Sequence, residues 1–142
     1  MRKSKCVLVT LVTFLLCMAV FLPYAGAEII FFPQTSQLIS GTDVGADSKG
    51  SGRIDTVASI TTRIAVDSLG FSYIRLQELR DGSWVTVKSV SSKYVANTYS
   101  YQYSFTYYGT PGMSYRAQAG FSATDNGINE TRSSTGGSFI CE

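Results

Sequence analysis

Histidine is absent from the 142 residues. That removes the commonest general base, the commonest metal ligand, and every Ser-His-Asp or Cys-His nucleophile. Of the three cysteines, Cys6 and Cys17 sit in the apolar N-terminal stretch and Cys141 is next to last, so thiolate zinc chemistry has no ligand set. Ten Asp and Glu remain as proton carriers. A glycosidase would need two of them about 5–9 Å apart. Asp43, Asp47, Asp55, Asp67, Asp81 and Asp125, however, fall in or beside turn-like composition, where solvation of loops accounts for them. The spacing of Asp43, Asp47 and Asp55 does not match the calcium loop D-x-[DN]-x-[DN]-G. Glu78, within the second strand pattern and opposite its apolar alternation, is the one acid in an unexpected place, and is expected to pair with Arg75, Arg80 or Lys88 on the sheet surface. Gly50-Ser51-Gly52-Arg53 lacks the strand-loop-helix setting of a phosphate cradle. The expectation is a chain that is not an enzyme, with no catalytic residue, no cofactor and no metal.

Aromatic side chains are the remaining means of recognition. Seven of the nine tyrosines fall between Tyr94 and Tyr115, and an exposed row of rings can stack on sugars or on an apolar partner surface. Candidate ligand-binding residues are Trp84, Tyr99, Tyr101, Tyr103, Tyr107 and Tyr108. The competing expectation is structural: Tyr99, Tyr101, Tyr103, Phe105 and Tyr107 alternate strictly, so one strand face can be core with hydroxyls at its rim, and Tyr108 then points outward.

The compartment is read from residues 1–27. Arg2, Lys3 and Lys5 form a positive n-region, residues 7–22 an apolar run, and Pro23 with Ala25-Gly26-Ala27 a break and a small-residue site. This pattern predicts a secretory signal peptide cleaved between Ala27 and Glu28, because the apolar run is short against the ~20 residues of a membrane span. Without Arg2, Lys3 and Lys5, the 12 basic residues become nine against ten acids, a formal net charge of −1. Such a balance carries no basic stripe for nucleic acid. Only Cys141 stays in the mature chain, which excludes an intramolecular disulfide, and its place predicts a frayed tail.

The rest reads as one domain. Residues 28–53 are an apolar N-terminal edge strand or lead-in, broken at Pro33, followed from residue 34 by a Gly/Ser/Asp-rich loop; residues 54–142 form the body. Period-two patterns predict strands at 54–66, 71–79, 84–90, 99–107, 113–124 and 128–134. Asp81-Gly82 and Asn126-Gly127 are hairpin signals, because both central residues can take positive φ. In 54–66, the residues Ile54, Thr56, Ala58, Ile60, Thr62, Ile64 and Val66 share the inner face. Turn-separated strands of this kind predict an antiparallel β-sandwich with no span after the signal.

Three blocks in order, GSGRI at 50–54, IRLQELRDGSWVTVKS at 74–89 and MSYRAQAGFSATDNGINETRSSTGGSFI at 113–140, resemble a family of short secreted proteins of Gram-positive bacteria, mainly Clostridia and their relatives, that has no assigned function. The segment TPGMSYR at 110–116, followed by NGINE at 126–130, is also similar to the last two strands of fibronectin type III modules. These likenesses imply a Gram-positive secreted origin and an Ig-like or fibronectin type III-like sandwich, and bring no site residues with them. The expected function is a secreted, extracellular or cell wall-associated, non-enzymatic interaction module whose partner is an unknown protein or polysaccharide. Its rivals are a carbohydrate-binding or adhesion module using the Tyr-rich strand and Trp84, and a self-assembling extracellular structural protein.

Overall fold

The computed structural model describes residues 38–142; the expected signal peptide, its cleavage site and the apolar lead-in lie outside the described residues. Eight strands follow in order: β1 (Ile39–Ser48), β2 (Arg53–Val66), β3 (Ser68–Arg80), β4 (Ser83–Val95), β5 (Thr98–Tyr108), β6 (Ser114–Asp125), β7 (Ile128–Thr135) and β8 (Phe139–Ile140). They build two antiparallel sheets, β1-β2-β5 and β4-β3-β6-β7, with β8 paired to β6. The two sheets face each other across one interior as a β-sandwich. Side chains from both, including Val44, Ala58 and Ile60 against Phe71, Ala117, Ala119 and Phe121, form the main core.

The strands are where the alternation places them. Ile54, Thr56, Ala58 and Ile60 are fully buried on β2, since every second side chain points to one face. That alternation ends at Thr62: pairing with β5 shifts between Thr61 and Val66, and Ile64 stands 59% exposed instead of joining the inner face. Both Asx-Gly hairpins form, with positive φ at Asp81 and Gly82 and at Asn126 and Gly127, as two-residue turns between right-twisted strands require.

Three expectations are corrected. Ile39–Ser48 is a strand rather than part of a loop; its Gly, Ser, Thr and Asp residues do not prevent a backbone ladder to β2 from Ile39↔Thr62 to Ser48↔Ile54, interrupted by one register shift between Ile39 and Gly41. Cys141 is 1% exposed, packed with Ile54, Leu76 and Tyr115, not frayed. Backbone bonds dock it: the Cys141 amide donates to the Met113 carbonyl, and the Gly112 amide to the Cys141 carbonyl. Glu78, thirdly, faces inward and is 5% exposed. The cause is a register shift between Phe71 and Tyr73. It sets Ser72 out of the ladder and switches the inner face from Leu69 and Phe71 to Ile74, Leu76 and Glu78.

Candidate binding face

The Tyr-rich strand is mostly interior. In the β2–β5 register Tyr101 stands opposite Ile60, Tyr103 opposite Ala58, Phe105 opposite Thr56 and Tyr107 opposite Ile54, all buried partners. Tyr101, Tyr103 and Tyr107 are half-buried and pack on the core, with the Tyr101 ring 5.4 Å from Phe71 and the Tyr107 ring 6.4 Å from Tyr115. Tyr99 and Tyr108 are exposed. The row is therefore not a continuous platform.

Across from it, edge strand β4 turns two lysines inward. Its register shifts at Leu76/Gln77, which puts Lys88 opposite buried Leu76, and Lys93 stands opposite buried Phe71. Their stems reach over the aromatic row, with Lys88 Nζ 5.3 Å from the Phe105 ring and Lys93 Nζ 5.4 Å from that of Tyr103, the cation–π geometry of a snorkelling side chain. Lys88 also donates to the Thr106 carbonyl on β5 at 3.1 Å. Inward charges and a bulge are the devices by which edge strands resist pairing with another chain.

Trp84 is on the other side of the molecule from the tyrosine row. It stands opposite Leu79 in the β3–β4 register, on the outer face of the five-stranded sheet. Two residues that sequence reasoning did not single out, Tyr73 and Arg116, define that face with it. The guanidinium of Arg116 lies 4.3 Å from the Trp84 ring centre and that of Arg75 lies 4.1 Å from Tyr73. Arg116 Nε donates to Gln77 Oε1 at 2.9 Å. Tyr73 is supported from below: it stands opposite Gly120 on β6, where an added Cβ would meet the ring at 2.6 Å. The ring thus occupies the space a side chain would have filled. Serines and threonines alternate along β4, β6 and β7 around this patch, and no outward position of the four strands is an acid. The signal available in sequence was weak, since the bulge at Ser72 decides that Tyr73, Arg75 and Gln77 share the outer face.

The outer face of β1-β2-β5 has the opposite character. A shallow depression of about 450 Å³ is lined by Arg53, Asp55, Val57, Ser104, Phe105 and Thr106. Asp55 accepts from the Thr106 hydroxyl at 2.7 Å and from two nitrogens of Arg53 at 3.1 and 3.0 Å. The Thr106 bond, then Arg53, hold its carboxyl below the usual range. Glu78 is likewise held low, first by Arg80 and then by the Tyr115 hydroxyl, against its burial; burial in turn pushes the Tyr115 phenol up. Both carboxylates stay ionised with their oxygens occupied. A general acid needs the reverse. Among the described residues no three His, Cys, Asp or Glu are grouped to hold a metal ion.

The geometry defines an all-β, two-sheet protein with a polar-aromatic outer face. No protein-family model matches the chain, and no curated protein matches it. Among solved structures it is similar to Spo0M, a sporulation control protein from Bacillus subtilis, at 12% identity and a TM-score of 0.40, over 72% of this chain and 48% of that one. The chain thus spans about half the length of Spo0M, and a likeness this distant carries neither fold type nor function.

Proposed function

We propose that this chain is a secreted, non-enzymatic binding module that presents the outer face of β4-β3-β6-β7 to an extracellular polysaccharide. The observation that carries the reading is the pairing of two aromatic rings, Trp84 and Tyr73, with two guanidiniums on one sheet face. Rings held rigidly on a sheet offer stacking area at little entropic cost, and the surrounding hydroxyls and amides are suited to sugar hydroxyls. The tyrosine row supports this role less well, because packing on the core engages Tyr101, Tyr103 and Tyr107. Self-assembly has less support still, since β4 carries the bulge and inward lysines that oppose edge pairing.

The module type we propose is fibronectin type III-like. Strand β4 pairs with β3 on the sheet of β6 and β7, the place of an added strand beside the C-F-G sheet of Ig-related folds. Tyr115, near the start of β6, accepts from the amide of Thr110 five residues upstream at 2.9 Å, the arrangement of a tyrosine corner. The motif blocks support a place among short secreted Gram-positive proteins, with export by removal of residues 1–27.

Two measurements test the proposal. Mass spectrometry of protein from the culture medium is expected to find an N-terminus at Glu28; an intact, cell-retained chain overturns secretion. Retention on insoluble cell-wall and plant polysaccharides is expected for the parent and lost in Trp84→Ala at unchanged melting temperature. Absence of retention on any polysaccharide overturns the binding role.

A further inference from the structure

We infer that the polysaccharide is acidic: the outer face of β4-β3-β6-β7 is built to take the carboxylates of a uronic-acid polymer on Arg75 and Arg116. This rests on the polysaccharide reading above and narrows it to one chemical class.

Three of the other described arginines, Arg53, Arg80 and Arg132, each pair with a carboxylate two residues away, at Asp55, Glu78 and Glu130, while exposed Arg63 makes no such pair among the described residues. Arg75 and Arg116 have no carboxylate in reach among the described residues. Their guanidinium carbons instead lie over the rings of Tyr73 and Trp84. A guanidinium lying over a ring keeps its N–H edges available for in-plane bonds to a carboxylate. For Arg116 the bond from Nε to Gln77 Oε1 fixes the rotation of that plane and leaves the two terminal nitrogens as the donating edge.

The two sites are placed together by the ladder. Arg75 stands opposite Gln118 and Gln77 opposite Arg116. The arginines are therefore diagonal neighbours on adjacent strands, about 7–8 Å apart, with a glutamine at each remaining corner. This is a flat tile of two fixed positive forks and two amides, next to two rings. Long-range repulsion costs little here because the face is solvated. Removing both positive charges from solvent would cost far more without an anion. A face of polar side chains beside two rings favours a polymer of sugars over a peptide, which gains its affinity by burying anchoring side chains. The opposite outer face supplies the contrast, since it carries acids at Asp43, Asp47 and Asp55, the last two paired with Lys49 and Arg53.

Affinity electrophoresis and calorimetry with the purified chain test this against polygalacturonate, alginate and hyaluronate, with dextran, cellulose and fully methyl-esterified pectin as uncharged counterparts and poly-glutamate as a non-sugar polyanion. Binding to at least one acidic polysaccharide is expected, falling with added salt and absent for the esterified polymer, whose backbone is the same. Arg75→Gln and Arg116→Gln are each expected to weaken it by about tenfold, the worth of one charged hydrogen bond. Should those variants unfold, the comparison of esterified with free pectin decides without them. Equal binding to the charged and uncharged polymers, or to the uncharged ones only, overturns this inference and leaves the polysaccharide reading standing. Binding to poly-glutamate as tight as to the glycans overturns the sugar as occupant. Binding to none of the polysaccharides overturns both.

Discussion

The hydroxyl of Tyr115 donates to Glu78 Oε2 at 2.7 Å, and both residues are buried between the sheets. The Tyr115 hydroxyl oxygen also accepts from the Thr110 amide, so one phenol ties β6, β3 and the turn that leads into β6. Arg80 Nε donates to the other oxygen of Glu78 at 2.6 Å, which compensates the buried charge.

Tyr115→Phe removes both bonds while keeping the ring. The Thr110 amide and the Glu78 carboxylate are each left short of a partner, and a loss of about 1–3 kcal/mol is expected. Urea titration of parent and variant measures it; an unchanged midpoint would mean that water replaces the hydroxyl at no cost.

Acid stability follows from the sign of the Glu78 shift. Its folded pKa lies below the unfolded value of about 4.3, because Arg80 and Tyr115 bond the charged form. The unfolded state therefore binds protons first as pH falls. The contribution is complete above the unfolded value and is lost as pH drops through the folded one. Glu78→Gln is expected to be less stable than the parent at pH 7, with the gap closing below about pH 4. Midpoints at a series of pH values check this; a gap independent of pH removes the charge from the argument.

Half-burial of the tyrosine row makes a graded series. Tyr101→Ala and Tyr103→Ala should each cost about 2 kcal/mol, below the roughly 3–5 kcal/mol of a fully buried aromatic, because their outer edges are solvated. Tyr99→Ala, Tyr108→Ala and Ser100→Ala should each stay within about 0.5 kcal/mol. If Tyr101 and Tyr103 behave like Tyr99, they are not core residues and the row regains its standing as a binding surface.

Gly70 allows no side chain. An added Cβ would lie 2.0 Å from the Lys93 carbonyl oxygen and 2.7 Å from the Tyr94 Cα, both backbone, so β3 and β4 would have to part. Gly70→Ala is expected to destabilise by about 3 kcal/mol or more, at the upper end for overpacking. Gly82, with open space around its Cβ position, serves as the control for clash, since Gly82→Ala meets only the penalty of positive φ. Thermal melts of the two variants should rank them in that order.

The thiol of Cys141 is expected to be silent to Ellman's reagent in the native protein and to react on denaturation, since it is buried with Ile54, Leu76 and Tyr115. Prompt native reaction would show that the segment after β7 opens readily.

The positions of β2 to β7, both Asx-Gly hairpins and the inner face of β2 from Ile54 to Thr62 were readable in residue order, because period-two patterning and turn residues act over two to four positions. The inward side of Tyr101, Tyr103 and Tyr107 was one of two readings the alternation allowed, and the facing strands decided between them. Strand β1 escaped notice, since Gly41, Asp43, Gly45, Asp47 and Ser48 have the composition of a loop and gain strand conformation from the ladder to β2. Glu78 and the Arg75–Tyr73 tile were decided by one displaced residue, Ser72. A bulge moves every following side chain to the other face, and no local propensity at Ser72 announces it. Which side chains meet across strands is a matter of register. Register is set by the sum of long-range packing, as when Arg116 on β6 reaches across β3 to lie on Trp84 of β4, and only the folded chain performs that sum.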